Sequence, residues 1–64
     1  MNNKEKHDRI KDLTYGAIIS GQITRCDRQP NGSYIIARSG YLKPETHSVN
    51  SALMFLYLLR RASN

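Results

Sequence analysis

Cysteine is almost missing from this chain: Cys26 stands alone, so no internal disulfide can form. His7 and His47 are the only histidines, too few further ligands for a structural zinc site. A domain of 64 residues buries only about 60% of the surface its unfolded chain exposes. With disulfide and metal both excluded, association with another chain is the remaining route to a wider stability margin, and no cofactor is expected.

Long apolar runs are missing too. The longest, residues 52–59, is eight residues long, far below the roughly 20 needed to cross a bilayer. The charged start Met1-Asn2-Asn3-Lys4-Glu5-Lys6 leads into no apolar stretch, so no secretory signal is expected and the cytoplasm is the expected location. Repeats, low-complexity tracts and Gly/Ser linkers are absent, which predicts one domain over residues 1–64.

Catalytic constellations are equally scarce. Asp8, Asp12, Asp27 and Glu45 form no recognisable acid–base pair, and the first two lie in a charged segment that reads as a solvated face. Cys26 with His47 lacks any supporting motif, and a buried thiol at a strand end accounts for the cysteine. Gly16, Gly21, Gly32 and Gly40 are scattered rather than grouped, so neither a phosphate loop nor a dinucleotide fingerprint is present. Asn31-Gly32-Ser33 fits a glycosylation pattern, but a turn explains it fully. The expectation is a protein that is not an enzyme.

Acidic residues are in the minority: ten Lys and Arg face five Asp and Glu, a net +5. In so small a body that excess favours phosphate-rich or acidic partners.

Local patterns predict an α+β fold. Residues 1–13 read as a charged N-terminal segment with a short helix, carrying Ile10 and Leu13 at helical spacing. Residues 15–43 read as sheet. Ile18, Ile19, Ile23 and Thr24 suit a first strand over residues 15–26, with Ala17, Ile19, Gly21 and Ile23 on the core face. A competing reading continues the helix through Ala17 and Ile18 and ends it at Gly21. Gln29-Pro30-Asn31-Gly32 predicts a hairpin turn. A second strand follows over residues 33–38, and a short third one at Tyr41, Leu42 and Lys43 completes a hairpin or three-stranded antiparallel sheet.

Pro44 lacks a ladder donor, and residues 45–48 read as a helix entrance with Ser48 as N-cap. The C-terminal helix is expected at about residues 49–62, within a segment beginning at residue 48. Its Val49, Ala52, Leu53, Phe55, Leu56, Leu59 and Ala62 would roof the sheet. Met54, Tyr57 and Leu58 form a second apolar stripe outside that arc, which predicts an interface, with a homodimer or a protein partner covering it. The alternative is an N-terminal helix folding over the stripe through Ile10 and Leu13. Arg60 and Arg61 sit where cations favour the helix dipole.

Arg25 and Arg28 precede the hairpin turn while Arg38 and Lys43 follow it, with Tyr34 and Tyr41 between them. This set is the expected nucleic-acid contact surface, DNA being preferred to RNA. The arrangement resembles, at fold level only, sheet-plus-helix DNA readers such as integrase arm-type and plant AP2-type domains, although no residue motif places the chain in either. The rival expectation is a compact inhibitor or adaptor, of the kind phages and plasmids carry, that docks its apolar helix or a sheet edge on an acidic protein.

Overall fold

The computed structural model describes residues 1–62. Its elements are α1 (Asn3–Ile19), β1 (Ile23–Arg28), β2 (Tyr34–Arg38), β3 (Glu45–His47) and α2 (Val49–Ala62). The three strands form one antiparallel sheet in the order β1-β2-β3.

α1 corrects the first-strand expectation for residues 15–26. The helix runs on to Ile19, burying Ile10, Leu13 and Ala17. Those three follow a helical stripe, and packing along it outweighs the β preference of Ile18 and Ile19, both of which are left exposed. Asn2 caps the start, its side chain accepting from the Glu5 amide at 2.8 Å. The end is a Schellman closure, with the Gln22 amide donating to the Ala17 carbonyl and the Gly21 amide to the Ile18 carbonyl, each at 3.0 Å. That closure needs a left-handed residue, and Gly21 supplies it at φ 78°. The sheet therefore spans residues 23–47, not 15–43.

The β1–β2 hairpin forms where the Pro-Asn-Gly signal lies. The Gly32 amide donates to the Gln29 carbonyl at 2.9 Å and the Gln29 amide to the Ser33 carbonyl at 2.8 Å. Gly32 takes the positive φ of 87°, while Asn31 accepts from the Ser33 amide at 3.0 Å. A register shift between Ile23 and Arg25 makes an irregularity in β1.

β3 is the second correction: it is Glu45–His47 rather than Tyr41, Leu42 and Lys43. A turn closed by the Tyr41 amide on the Arg38 carbonyl at 3.1 Å, with Gly40 at φ 84°, leaves residues 41–43 as connection. Pairing resumes only beyond Pro44, with His47 opposite Tyr34 and Glu45 opposite Ile36. Of residues 45–48, Ser48 caps the following helix, while His47 at the end of β3 shares a hydrogen bond with Ser51 at 2.9 Å and stacks on Phe55. The Ser48 hydroxyl accepts from the Ser51 amide at 3.1 Å and its carbonyl from the Ala52 amide at 2.8 Å, so the expected N-cap is present.

Both helices cover one face of the sheet. The buried set is Ile10, Leu13, Ala17, Ile23, Tyr34, Ile36, Ala52 and Leu56, with Cys26, Val49, Leu53, Phe55, Tyr57 and Leu59 packed around it. Ala62, expected on the roofing face, is exposed. The helices run in the same direction. The Lys6 ammonium donates to Asn50 at 2.8 Å near their starts, and Gln22, just beyond α1, donates to the Leu59 carbonyl at 2.7 Å near their ends. Both helix N-termini and the hairpin tip consequently share one end of the molecule.

Candidate nucleic-acid interface

Cross-strand partners share a sheet face, and this rule separates the six residues expected to contact nucleic acid. Arg25 pairs with Ala37 and Asp27 with Ile35, while Thr46 lies opposite Ile35. These five residues form the face turned away from the helices. Arg25 is the one expected cation there, and its guanidinium is held by Asp27. No aromatic ring stands on that face to stack a base, so it lacks the basic, aromatic character the sequence suggested.

Arg28 and Tyr34 are a cross-strand pair on the helix side. Tyr34 is only 5% exposed, so its ring is a core residue and cannot serve as a stacking platform. Its hydroxyl shares a hydrogen bond of 2.5 Å with His7 Nδ1. Arg38 lies at the opposite end of β2. Its guanidinium carbon is 4.0 Å from the Tyr41 ring centre, it donates to the Tyr41 hydroxyl at 2.9 Å, and it pairs with Glu45 at 3.4 Å. Lys43 is exposed on the connecting loop. The expected set is thus divided among the outer face, the α1 side of β1, and the Arg38–Tyr41 corner.

A different basic surface emerges between α1 and β1. His7, Lys11 and Thr14 from α1 face Cys26 and Arg28 from β1 across a cleft of about 400 Å³. The cleft meets a second depression of about 680 Å³, shared through His7, Asp8 and Arg28, in which Lys4 approaches the hairpin residues Pro30, Asn31 and Gly32. Lys4, His7 and Lys11 are spaced i, i+3, i+7, which sets them in one row about 10 Å long on a helix. Lys4, Lys11 and Arg28 take part in neither ion pair found among the described residues, Arg25–Asp27 and Arg38–Glu45. Among the described residues Asp8 is the single carboxylate lining the two depressions, so three cations face one anion. Sequence reading missed Lys4 and Lys11 because alternating charges over residues 4–12 look like a solvated helix face. The signal that would have found them is their helical spacing with His7, usable once α1 is known to lie beside β1.

Burial raises the Cys26 thiol above its ordinary pKa. The Thr14 hydroxyl opposes this and the Asp27 charge adds to it. Burial likewise raises the Tyr34 phenol, with Arg28 pulling it down and Cys26 adding a smaller upward push. Both groups therefore stay neutral near pH 7, which leaves the fixed cations to set the cleft's field. Among the described residues no group of three or more His, Cys, Asp or Glu side chains could hold a metal ion. No helix among them is long and apolar enough to cross a membrane.

The stripe expected to be an interface is only partly covered. Tyr57 is half-buried, its hydroxyl accepting from Arg9 at 2.8 Å. Met54 and Leu58 remain 67% and 55% exposed. α1 does not fold over them, because Ile10 and Leu13 share the interior with Ala52 and Leu56 on the other side of α2.

Comparison with protein-family models, with curated protein sequences and with solved structures gave no match.

Proposed function

We propose that this chain is a small nucleic-acid-binding regulator, DNA being its expected partner, that grips the phosphate backbone in the α1–β1 cleft rather than on its sheet. The observation supporting this reading is the placement of Lys4, Lys11 and Arg28, none in an ion pair among the described residues, along two adjoining depressions that share His7, Asp8 and Arg28. Phosphate is the chemistry that such a row recognises. His7, held by Tyr34, supplies a polar edge between the cations. The hairpin tip at the end of the cleft offers the Asn31 side chain, with open space beside Gly32. The N-terminus of α1, whose Asn3 and Lys4 line the outer depression, adds partial positive charge there. On this reading the chain works in the cytoplasm, where a lone thiol stays reduced.

Fluorescence anisotropy with a labelled DNA duplex tests the proposal. Three phosphate contacts give a log–log salt slope of about −2.7, a loss of roughly 40-fold between 50 and 200 mM salt. Arg28→Ala or Lys11→Ala should each flatten the slope by about 0.9, while Arg25→Ala, on the far face beside Asp27, should leave it unchanged. Lack of any DNA binding at low salt, or a slope that responds to Arg25 and not to Arg28, overturns the reading.

A further inference from the structure

The exposed side of α2 carries a separate surface. Asn50, Leu53, Met54, Tyr57, Leu58 and Arg61 line a groove of about 570 Å³. They follow one another at i, i+3/i+4, i+7/i+8 and i+11, a straight stripe about 16 Å long, or three helical turns. The centre of the stripe is apolar, with Met54 and Leu58 more than half exposed.

Its margin is positive. Arg61 stands at one end of the lining. Lys6 is bonded to the lining residue Asn50 at 2.8 Å, and Arg9 to the lining residue Tyr57 at 2.8 Å. Among the described residues no carboxylate lines the groove. We infer that this α2 groove docks an acidic amphipathic helix of a partner protein, its apolar side chains seated on Met54 and Leu58 and its carboxylates meeting Lys6, Arg9 and Arg61.

Charge decides among the occupants. A second copy seated here would bring its own Lys6, Arg9 and Arg61 towards the same cations, and each copy carries a net +5, so like charges would oppose the contact. The stripe runs along one face of α2 for three turns, the length over which a partner helix packs side by side. The inference is independent of the nucleic-acid reading, since the cleft between α1 and β1 uses none of these residues.

Two synthetic amphipathic peptides of three to four turns supply the test, with leucines at i, i+3, i+4 and i+7 and flanks of either glutamate or lysine. Fluorescence anisotropy should show the glutamate peptide binding about tenfold more tightly than the lysine peptide, as expected for three solvent-exposed charge pairs. Arg61→Gln should narrow that preference. Met54→Ser combined with Leu58→Ser should weaken the glutamate peptide by about tenfold or more while leaving the helical circular-dichroism signal and the salt slope for DNA intact. Equal affinity for the two peptides, or no binding of either by folded protein, overturns the inference. So does a wild-type dimer by light scattering that the double variant dissolves, since a second copy would then occupy the groove. Binding to anionic phosphatidylglycerol vesicles that the glutamate peptide fails to displace would overturn it as well.

Discussion

Leu56 and Leu58 are two residues apart on α2 and face opposite environments, so truncating each in turn is a sharp trial of how the helix sits. Leu56 is 1% exposed in a cluster with Ile10, Leu13, Ile23 and Ile36. Leu56→Ala removes three carbons, about 2.4 kcal/mol of transfer free energy at about 0.8 kcal/mol each. If roughly 40 Å³ of the space stays open, the cavity adds about 1 kcal/mol. The sum is about 3.4 kcal/mol, set against roughly 3–10 kcal/mol for a whole domain of this length. With a urea dependence of about 1 kcal/mol per molar, the midpoint should fall by about 3 M, or the variant should be unfolded before urea is added. Leu58→Ala, starting from a side chain 55% exposed, should cost less than about 1 kcal/mol because little buried surface is lost and alanine favours the helix. Urea titrations followed by far-ultraviolet circular dichroism measure both. Equal losses, or a greater loss at Leu58, would refute the assignment of the two faces.

Three further outcomes follow from local geometry. Gly32→Ala places a side chain on a backbone at φ 87° and should cost about 1 kcal/mol in the same titration, although the space beside it is open. Ser48→Ala removes the oxygen that accepts from the Ser51 amide and should cost about 1 kcal/mol. Alkaline pH should also weaken the fold. Because burial raises the Cys26 thiol in the native state, its stabilising contribution is complete below the unfolded thiol's pKa of about 8.5 and is lost as pH climbs through the native value. Tyr34 adds the same sign of loss from about pH 10 upward. Thermal melts should therefore fall above about pH 8.5, and Cys26→Ala should flatten the first part of that fall; an unchanged profile in the variant would rule out the thiol as its source.

The two ends of the chain differed in how much of their structure could be read. α2 begins and ends where its apolar periodicity and Ser48 place it, because capping and amphipathic spacing are both local signals. The β1–β2 hairpin was legible for the same reason, since Gln29-Pro30-Asn31-Gly32 carries its own turn geometry. α1 was harder, because Ile18 and Ile19 favour strand locally while the decisive contacts of Ala17 come from elsewhere in the chain. β3 was misplaced because Tyr41 and Leu42 have the stronger strand character. Pairing was instead set by which residues fall opposite Tyr34 and Ile36 after the Gly40 turn.

The basic site suffered most from this non-locality. Arg25, Arg28 and Arg38 are close in sequence, yet strand alternation and hairpin length send them to different surfaces. Lys4 and Lys11 lie far from Arg28 in sequence and meet it only because α1 packs beside β1. The apolar stripe, by contrast, belongs to one helix. Its Met54 and Leu58 stay on the exposed side, where periodicity alone set them.

Backbone amide NMR shifts recorded while a short DNA duplex is added would show most directly which surface meets the ligand. Changes should concentrate at Lys4, His7, Lys11, Arg28, Asn31 and Gly32. Changes centred on Arg25, Ile35, Ala37 and Thr46 instead, or a spectrum indifferent to DNA at low salt, would contradict the proposed cleft.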